Sequence, residues 1–190
     1  MKIRFVSGAK IRNTIETDFG GWGQRQHYPF IPKGELWVER SLKPEIGRIR
    51  KILVLERMLK GQPFSVIRKA AAKELTDRTG QINIIATEKS RQRLLIHYLD
   101  GRTVRATRDP YFILGGHDLV YDYIPKNEIW IDTRQEKSEQ KYTLAHELEE
   151  HRLMSKGMSY DDAHDFALAA ERAERRQDAQ GARRSLESDE

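Results

Sequence analysis

The sequence predicts an α+β fold in which one structural unit occurs twice, the two copies being related by a pseudo-twofold axis. The first observation behind this prediction is that residues 1–41 match residues 94–134 at a constant offset of 93 positions, without a gap. Twelve of the 41 aligned pairs are identical, where background composition gives about two or three. A match of this strength indicates a tandem duplication. The identical pairs are Ile3/Ile96, Gly8/Gly101, Arg12/Arg105, Thr14/Thr107, Phe19/Phe112, Gly23/Gly116, Tyr28/Tyr121, Ile31/Ile124, Pro32/Pro125, Lys33/Lys126, Glu35/Glu128 and Trp37/Trp130.

The second observation is that both copies show the same order of local patterns. In the first copy, residues 2–6 are an apolar-rich run typical of a strand, and the dipeptide Ser7-Gly8 is typical of a turn. This turn predicts that residues 10–16 return as the second strand of a hairpin. A glycine-containing loop, a strand preceded by proline and two helices follow, so each copy should read strand–strand–loop–strand–helix–helix. The equivalent segments of the second copy are residues 94–99, Asp100-Gly101 and residues 103–108.

These patterns divide the chain into four segments. We expect a first unit at residues 1–75, a bridge with one short strand at residues 76–93, a second unit at residues 94–174 and a disordered tail at residues 175–190. The four helices are expected at about residues 44–60, 65–75, 138–155 and 160–175.

Composition limits the chemistry that is open to this chain. It contains no cysteine, so disulfides and thiolate metal sites are excluded, and any metal site must use histidine and carboxylate ligands. No apolar run reaches the length of a membrane span, and the N-terminus lacks a signal-peptide core. We therefore expect an intracellular, cytoplasmic protein. There is also no P-loop, no dinucleotide-binding glycine motif and no serine nucleophile elbow.

The net charge of +5 conceals an asymmetry between the two copies. Residues 1–93 carry 20 Lys and Arg against 9 Asp and Glu, whereas residues 94–190 carry 14 against 20. A basic half of this kind suggests nucleic acid, an acidic protein or the acidic half of the same chain as its partner, and solvated helix faces without a partner are the alternative interpretation. The residues most suited to phosphate contacts crowd one predicted helix of the first unit: Arg48, Arg50, Lys51, Arg57 and Lys60.

Histidine and glutamate are concentrated in the helix pair of the second copy. His146 and Glu150 are four residues apart and therefore share a helix face. After a turn at Gly157, His164 and Glu171 are seven residues apart on the next helix and also share a face. Since duplicated units share what folding needs, residues present in one copy only are candidates for function. We expect these side chains to form a site for a divalent transition metal, with five candidate ligands: His117, His146, Glu150, His164 and Glu171. For any one of the histidines, an exposed position on a polar helix is the alternative interpretation.

The segment from His146 to Glu150 resembles the HExxH helix of zincin-type zinc metallopeptidases. The resemblance implies that His146 is a zinc ligand, that Glu147 is the general base that activates water, and that a downstream His164 or Glu171 completes the ligand set. Glu150 stands where the family has its second histidine, which is a departure from the pattern, and carboxylates are also zinc ligands. The resemblance covers about 25 residues of the chain.

These observations predict a metal-binding protein and, within that class, a zinc-dependent hydrolase of the peptidase type. Two alternatives stay open. The first is a non-catalytic module that binds nucleic acid or an acidic protein through the basic first unit. The second is an assembly or structural protein in which the repeat supplies two similar faces.

Overall fold

The structure is a computed structural model that describes residues 1–75 and 79–188, with side chains described as far as residue 181. It confirms the α+β class, because helices and two mixed sheets occur in the same chain. The elements of the first half are β1 (Lys2–Val6), α1 (Gly8–Thr14), β2 (Trp22–Gly23), β3 (Glu35–Glu39), a 3-10 helix (Arg40–Glu45), α2 (Ile46–Met58) and α3 (Phe64–Lys73). Those of the second half are β4 (Ile84–Lys89), β5 (Leu95–Leu99), α4 (Gly101–Thr107), β6 (Gly115–His117), β7 (Glu128–Asp132), a 3-10 helix (Lys137–Glu139), α5 (Gln140–Met154) and α6 (Tyr160–Ser188).

The two sheets pair their strands in the same way. In the first, β3 lies between a parallel β1 and an antiparallel β2, and in the second, β7 lies between a parallel β5 and an antiparallel β6. The second sheet gains one exposed edge strand, β4, which pairs antiparallel to β5. Common element order and common pairing agree with the expected duplication, which stays a prediction.

Matched glycines lie at equivalent points of the two sheets. Gly23 is paired with Trp37, and Gly116 is paired with Trp130. A Cβ atom on Gly116 would lie 2.3 Å from a ring carbon of Tyr121, so only glycine leaves room for that ring. The ring of Tyr121 therefore packs directly on strand β6.

The predicted hairpins are wrong in both halves, because residues 10–16 and 103–108 lie largely in helices, α1 and α4, and not in strands. The physical reason is capping at the N-terminus of each helix. The Lys10 backbone N–H donates to the Ser7 hydroxyl at 3.2 Å, and the Arg102 backbone N–H donates to the Asp100 carboxylate at 3.1 Å. Ser and Asp in these positions satisfy helix donors that have no intrahelical partner, so the dipeptides begin helices where we expected turns. Each repeated unit, at residues 1–41 and 94–134, therefore begins with a strand and a helix and not with two strands.

The other element predictions can be compared with the structure in turn. A short strand does occur in the bridge, although residues 76–78 lie outside the described part of the chain. Gly157 has a φ of +90°, which suits the predicted turn after α5. At the start of α6, the Ser159 hydroxyl donates to the Asp162 carboxylate at 2.6 Å and accepts from the Asp162 backbone N–H at 3.3 Å.

The predicted tail does not begin at residue 175. Helix α6 continues to Ser188, and Arg175 is buried in ion pairs with Glu139 and Glu171. This segment is held by buried ion pairs and not by an apolar stripe, so the lack of such a stripe in its sequence did not indicate that Arg175 is buried.

A buried arginine connects the second half to the first. The Arg105 guanidinium, whose side chain is fully buried, donates to the Asp132 carboxylate at 2.6 Å and to the Phe112 carbonyl at 3.1 Å, both in its own half. It also donates to Glu45 of the first half at 2.7 Å. One arginine therefore holds two carboxylates, one from each half.

The matched arginine in the first half makes the reciprocal contacts. Arg12 donates to Glu39 at 3.1 Å and to the Phe19 carbonyl at 3.0 Å within its own half, and to Glu139 of the second half at 2.5 Å. Each half therefore supplies one carboxylate to the buried arginine of the other. Glu39 precedes the 3-10 helix of the first half but makes no side-chain capping bond to it.

Helix α5 buries a polar face, which is unusual for a helix packed against a sheet and a second helix. Its buried side chains are Tyr142, Thr143, His146, Glu147, Glu150 and His151. Because buried charges must be paired, hydrogen-bonded or bound to a metal, this face is where a functional site is expected.

Candidate metal centre

The histidines and glutamates of α5 and α6 converge as the helix pair predicts. The short turn around Gly157 makes the two helices antiparallel neighbours, so their inner faces meet. Strand β6 packs against α5 and brings His117 to the same place. The cavity beside these side chains has a volume of ≈ 140 Å³.

Three donor atoms, from His146, Glu150 and His164, form the first group that could hold a metal ion. The distance from His146 Nε2 to His164 Nδ1 is 3.2 Å, and His164 Nδ1 lies 2.8 Å from Glu150 Oε2. His146 Nε2 lies 3.5 Å from the same Glu150 oxygen. Two imidazole nitrogens and one carboxylate oxygen are donors that zinc and similar divalent cations accept. The structure thus brings together three of the five predicted ligands.

Glu171 does not belong to this group, contrary to its prediction as a ligand. Its Oε2 atom lies 3.1 Å from Nδ1 of His146, on the side of the ring that faces away from His164. Its other carboxylate oxygen accepts two hydrogen bonds from Arg175, at 2.7 and 3.0 Å. Glu171 therefore orients His146 from outside, as carboxylates commonly do for metal-binding histidines.

His117 reaches the other oxygen of Glu150. His117 Nε2 lies 3.0 Å from Glu150 Oε1, and the Leu119 backbone N–H donates to His117 Nδ1 at 3.3 Å. Since a backbone N–H can only donate, Nδ1 accepts and the proton of the neutral ring is on Nε2. His117 in this state donates to Glu150 and holds it in place. His117, Glu147 and Glu150 also satisfy the spacing of a second possible metal group.

Glu147 lies in a buried position directly after His146. Burial raises the pKa of Glu147 to about 7, although the neighbouring His146 opposes this rise. A Cβ atom on Gly115 of β6 would lie 3.1 Å from Glu147 Oε1 and 2.8 Å from Thr143, so the glycine makes room for the carboxyl group. A carboxyl group whose pKa is raised toward neutrality is suited to accepting and returning a proton.

The remaining groups of the centre carry opposite charges in the absence of a metal ion. Burial disfavours the charged form of His146, but hydrogen bonds to Glu150 and Glu171 outweigh this and raise its pKa to about 10. The carboxylates of Asp18 and Glu150 raise the pKa of His164 to about 9. Burial would raise the pKa of Glu150, but hydrogen bonds from three histidines hold it well below its usual value. A metal ion must therefore displace protons from both ligand histidines.

His151, the third histidine of this helix pair, lies outside the centre. Its Nε2 atom is 3.1 Å from Asp118, and its ring packs edge-on against that of His117. Burial lowers the pKa of His151.

Two residues of the centre were not predicted from the sequence. Arg175, which holds Glu171, fell in the segment assigned to the tail. Asp18 lies on a first-half loop that lines the cavity, whereas all five predicted ligands belong to the second unit. The signal for Asp18 was available, since the position matched to it in the second copy is Tyr111, which makes Asp18 an acid present in one copy only.

The basic residues proposed for nucleic-acid contacts separate into two sets. Arg50, Lys51, Arg57 and Lys60 are exposed on or just after α2. Arg48 is turned inward, where it donates to Glu45 at 3.0 Å and to a backbone carbonyl of the second half, and burial lowers its pKa to about 10. Arg48 is thus engaged within the fold, and nucleic-acid binding by the other four stays a prediction.

Within the described residues, no helix combines the length and the apolar composition that crossing a membrane would require. Compared with known protein families, with curated proteins and with solved structures, the chain shows no match.

Proposed function

We propose that this protein is a divalent-metal-dependent hydrolase of the peptidase type, with zinc held by His146, Glu150 and His164. The observation that carries the proposal is the convergence of these three side chains in a mostly buried cluster at the wall of a cavity. Three protein ligands are typical of catalytic zinc sites, where the fourth position is left for water or substrate. Structural zinc sites instead use four protein ligands.

Neighbouring side chains hold two of the three ligands in a defined orientation. His146 is oriented by Glu171, and Glu150 is oriented by His117, so two of the three ligands have a fixed partner outside the cluster. Such partners set which ring nitrogen is free to bind and limit rotation of the side chain. A fortuitous group of surface residues would not have these buried partners.

Glu147 is the residue to which we assign proton transfer. When bound, the cation supplies Lewis acidity, which polarises a carbonyl group and makes water more acidic. Glu147 takes the proton that water loses and returns it to the leaving amine, because its carboxyl group is buried at the cavity wall beside the ligand group. The residue that follows the first ligand histidine thus keeps the role implied by the zincin resemblance. Glu150 replaces the second histidine as a ligand.

Metal content is the first test. Protein purified without an affinity tag and dialysed against zinc should retain about one equivalent per chain, and chelator should lower its thermal stability. The variant His164→Gln should lose the ion, whereas His151→Gln, on the same helix pair but outside the cluster, should keep it. Absence of bound zinc, manganese and iron, with no effect of chelator, would contradict the proposal.

Hydrolysis is the second test, and it separates a catalytic site from a structural one. We expect zinc-loaded protein to cleave a fluorogenic peptide library or casein. Glu147→Gln should retain zinc and reduce the rate by about 100-fold or more, the usual contribution of a general base. A protein that binds one zinc ion but cleaves none of these substrates would have a structural site.

A further inference from the structure

We infer that Asp18, on a loop of the first half, is a positioning residue for the ligand His164, so that both halves of the chain build the metal centre. This inference rests on the proposed function, because it concerns the same ligand group. It goes further in assigning a role to a residue that lies 146 positions away in the sequence.

The geometry of His164 leaves one ring nitrogen for Asp18. Its Nδ1 atom faces Glu150 and His146, at 2.8 and 3.2 Å, and its Nε2 atom lies 3.6 Å from Asp18 Oδ1. His146 is arranged in the same way with the two nitrogens exchanged: its Nε2 atom faces the ligand group, and its Nδ1 atom faces the Glu171 carboxylate. Each ligand histidine therefore has one nitrogen toward the ligand group and one toward a carboxylate.

The backbone of the Asp18 loop is held at several points. The Tyr28 hydroxyl donates to the Asp18 carbonyl at 3.1 Å and accepts from the Gly20 backbone N–H at 2.8 Å. The intervening Phe19 is fully buried and packs against the Tyr28 ring. Although the Asp18 side chain is 60% exposed, its backbone is anchored well enough to present the carboxylate at a defined place.

The same loop is attached to the helix that carries His164. Arg172, two turns further along α6, donates to the Thr17 hydroxyl at 3.2 Å and lies 3.8 Å from Glu16. The contact between loop and helix thus does not depend on the Asp18–His164 pair. Loss of the Asp18 carboxylate alone should leave the loop docked.

A carboxylate at Nε2 has a specific chemical effect on His164. Its negative charge, 3.6 Å from Nε2, favours the tautomer with the proton on Nε2, which places the lone pair of the neutral ring on Nδ1, toward the ligand group, and makes that nitrogen more basic. Removing such a partner commonly weakens metal binding about 10–100-fold, and the exposure of Asp18 places the expected effect near the lower end of this range.

The test is titration of metal-free protein with cobalt(II), followed by calorimetry and by the visible absorption spectrum of the bound ion. We expect Asp18→Asn to weaken binding about 10-fold and to change the spectrum, and Asp18→Glu to restore most of the affinity. The matched control is Asp165→Asn, which removes the same charge from an exposed position next to His164 on α6. This control should bind cobalt within about 2-fold of the unchanged protein, because surface charges act weakly through solvent.

Three results would overturn the inference. Asp18→Asn could bind cobalt with unchanged affinity and spectrum, or Asp165→Asn could lose as much affinity, which would reduce the effect to net charge. Failure of Asp18→Glu to recover any affinity would also contradict a carboxylate role. If the unchanged protein binds no metal, the proposed function fails and the inference with it, whereas metal binding that is indifferent to Asp18 removes the inference alone.

Discussion

Replacing Gly101 with alanine should destabilise the protein strongly, because an acidic side chain lies where the new methyl group would go. An ideal Cβ atom on Gly101 would lie 2.0 Å from Asp132 Oδ2 and 2.2 Å from its Cγ. Real Cβ atoms do not approach other heavy atoms so closely, so Asp132 must move. It is held in place by the Gly101 backbone N–H at 3.0 Å and by Arg105 at 2.6 Å.

The size of the effect follows from what the movement breaks. Overpacking a buried site costs about 1–3 kcal/mol, and breaking a buried ion pair costs about 3–5 kcal/mol. Arg105 retains its contact with Glu45, so the loss of the pair is partial. We therefore expect the free energy of unfolding to fall by about 3 kcal/mol, between these two ranges.

Urea denaturation measures this loss. With a slope of about 2–3 kcal/mol/M, the midpoint for Gly101→Ala should fall by about 1–1.5 M. The control is Gly47→Ala in α2, where a Cβ atom would meet nothing within 4 Å. That variant should be unchanged or more stable by up to about 1 kcal/mol, as the helix propensities of the two residues predict. A loss below about 1 kcal/mol for Gly101→Ala would refute the argument from packing.

Four further predictions concern the other half and the metal centre. Gly8→Ala should cause a loss similar to that of Gly101→Ala in the same urea assay, because its Cβ atom would lie 2.0 Å from Glu39 Oε2; a neutral effect would show that the two matched glycines are not equivalent in packing. Zinc binding at pH 7 should release about two protons, from His146 and His164, whose pKa values are raised to about 10 and about 9. Calorimetry in buffers of different ionisation enthalpy counts these protons, and a count near zero would contradict the assignment. Since both pKa values lie above the unfolded value, the stability that these histidines give the metal-free protein is fully present below about pH 6.5. It should be lost as the pH rises through about 9 and 10, which urea midpoints across this range would detect. Glu171→Gln should weaken zinc binding about 10–100-fold, as expected for the outer partner of a ligand histidine, and unchanged affinity would exclude that role.

The hairpin prediction shows how local signals can point to the wrong element. Ser-Gly and Asp-Gly are typical of tight turns, but Ser and Asp are also preferred helix N-caps, and α1 and α4 have only seven residues each. Over so short a span, hydrophobic periodicity does not separate a helix from a strand. The capping bonds of Ser7 and Asp100, which the dipeptides alone do not reveal, begin helices in the structure.

The metal centre was predictable to the extent that it depends on helical spacing. The spacing of His146 and Glu150 placed them on one face, and the short turn placed His164 opposite them. Which ring nitrogen faces which carboxylate depends on side-chain rotamers and on neighbours from other elements. Helical spacing therefore could not show that Glu171 faces Nδ1 of His146, while the ligand group faces Nε2. Asp18 reaches the centre through tertiary packing, which spacing along a helix cannot indicate.

The exchange of carboxylates between the two halves has a consequence for how the chain unfolds. Arg12 and Arg105 are almost inaccessible to water, and each keeps only one of its carboxylate partners if the other half is removed. An isolated half would have to bury a cation with part of its counter-charge missing, which is costly. Neither half should therefore persist as an autonomous domain, and heating should melt the whole chain in one cooperative transition. For the same reason, two separately produced fragments divided at the bridge should regain structure only when they are mixed.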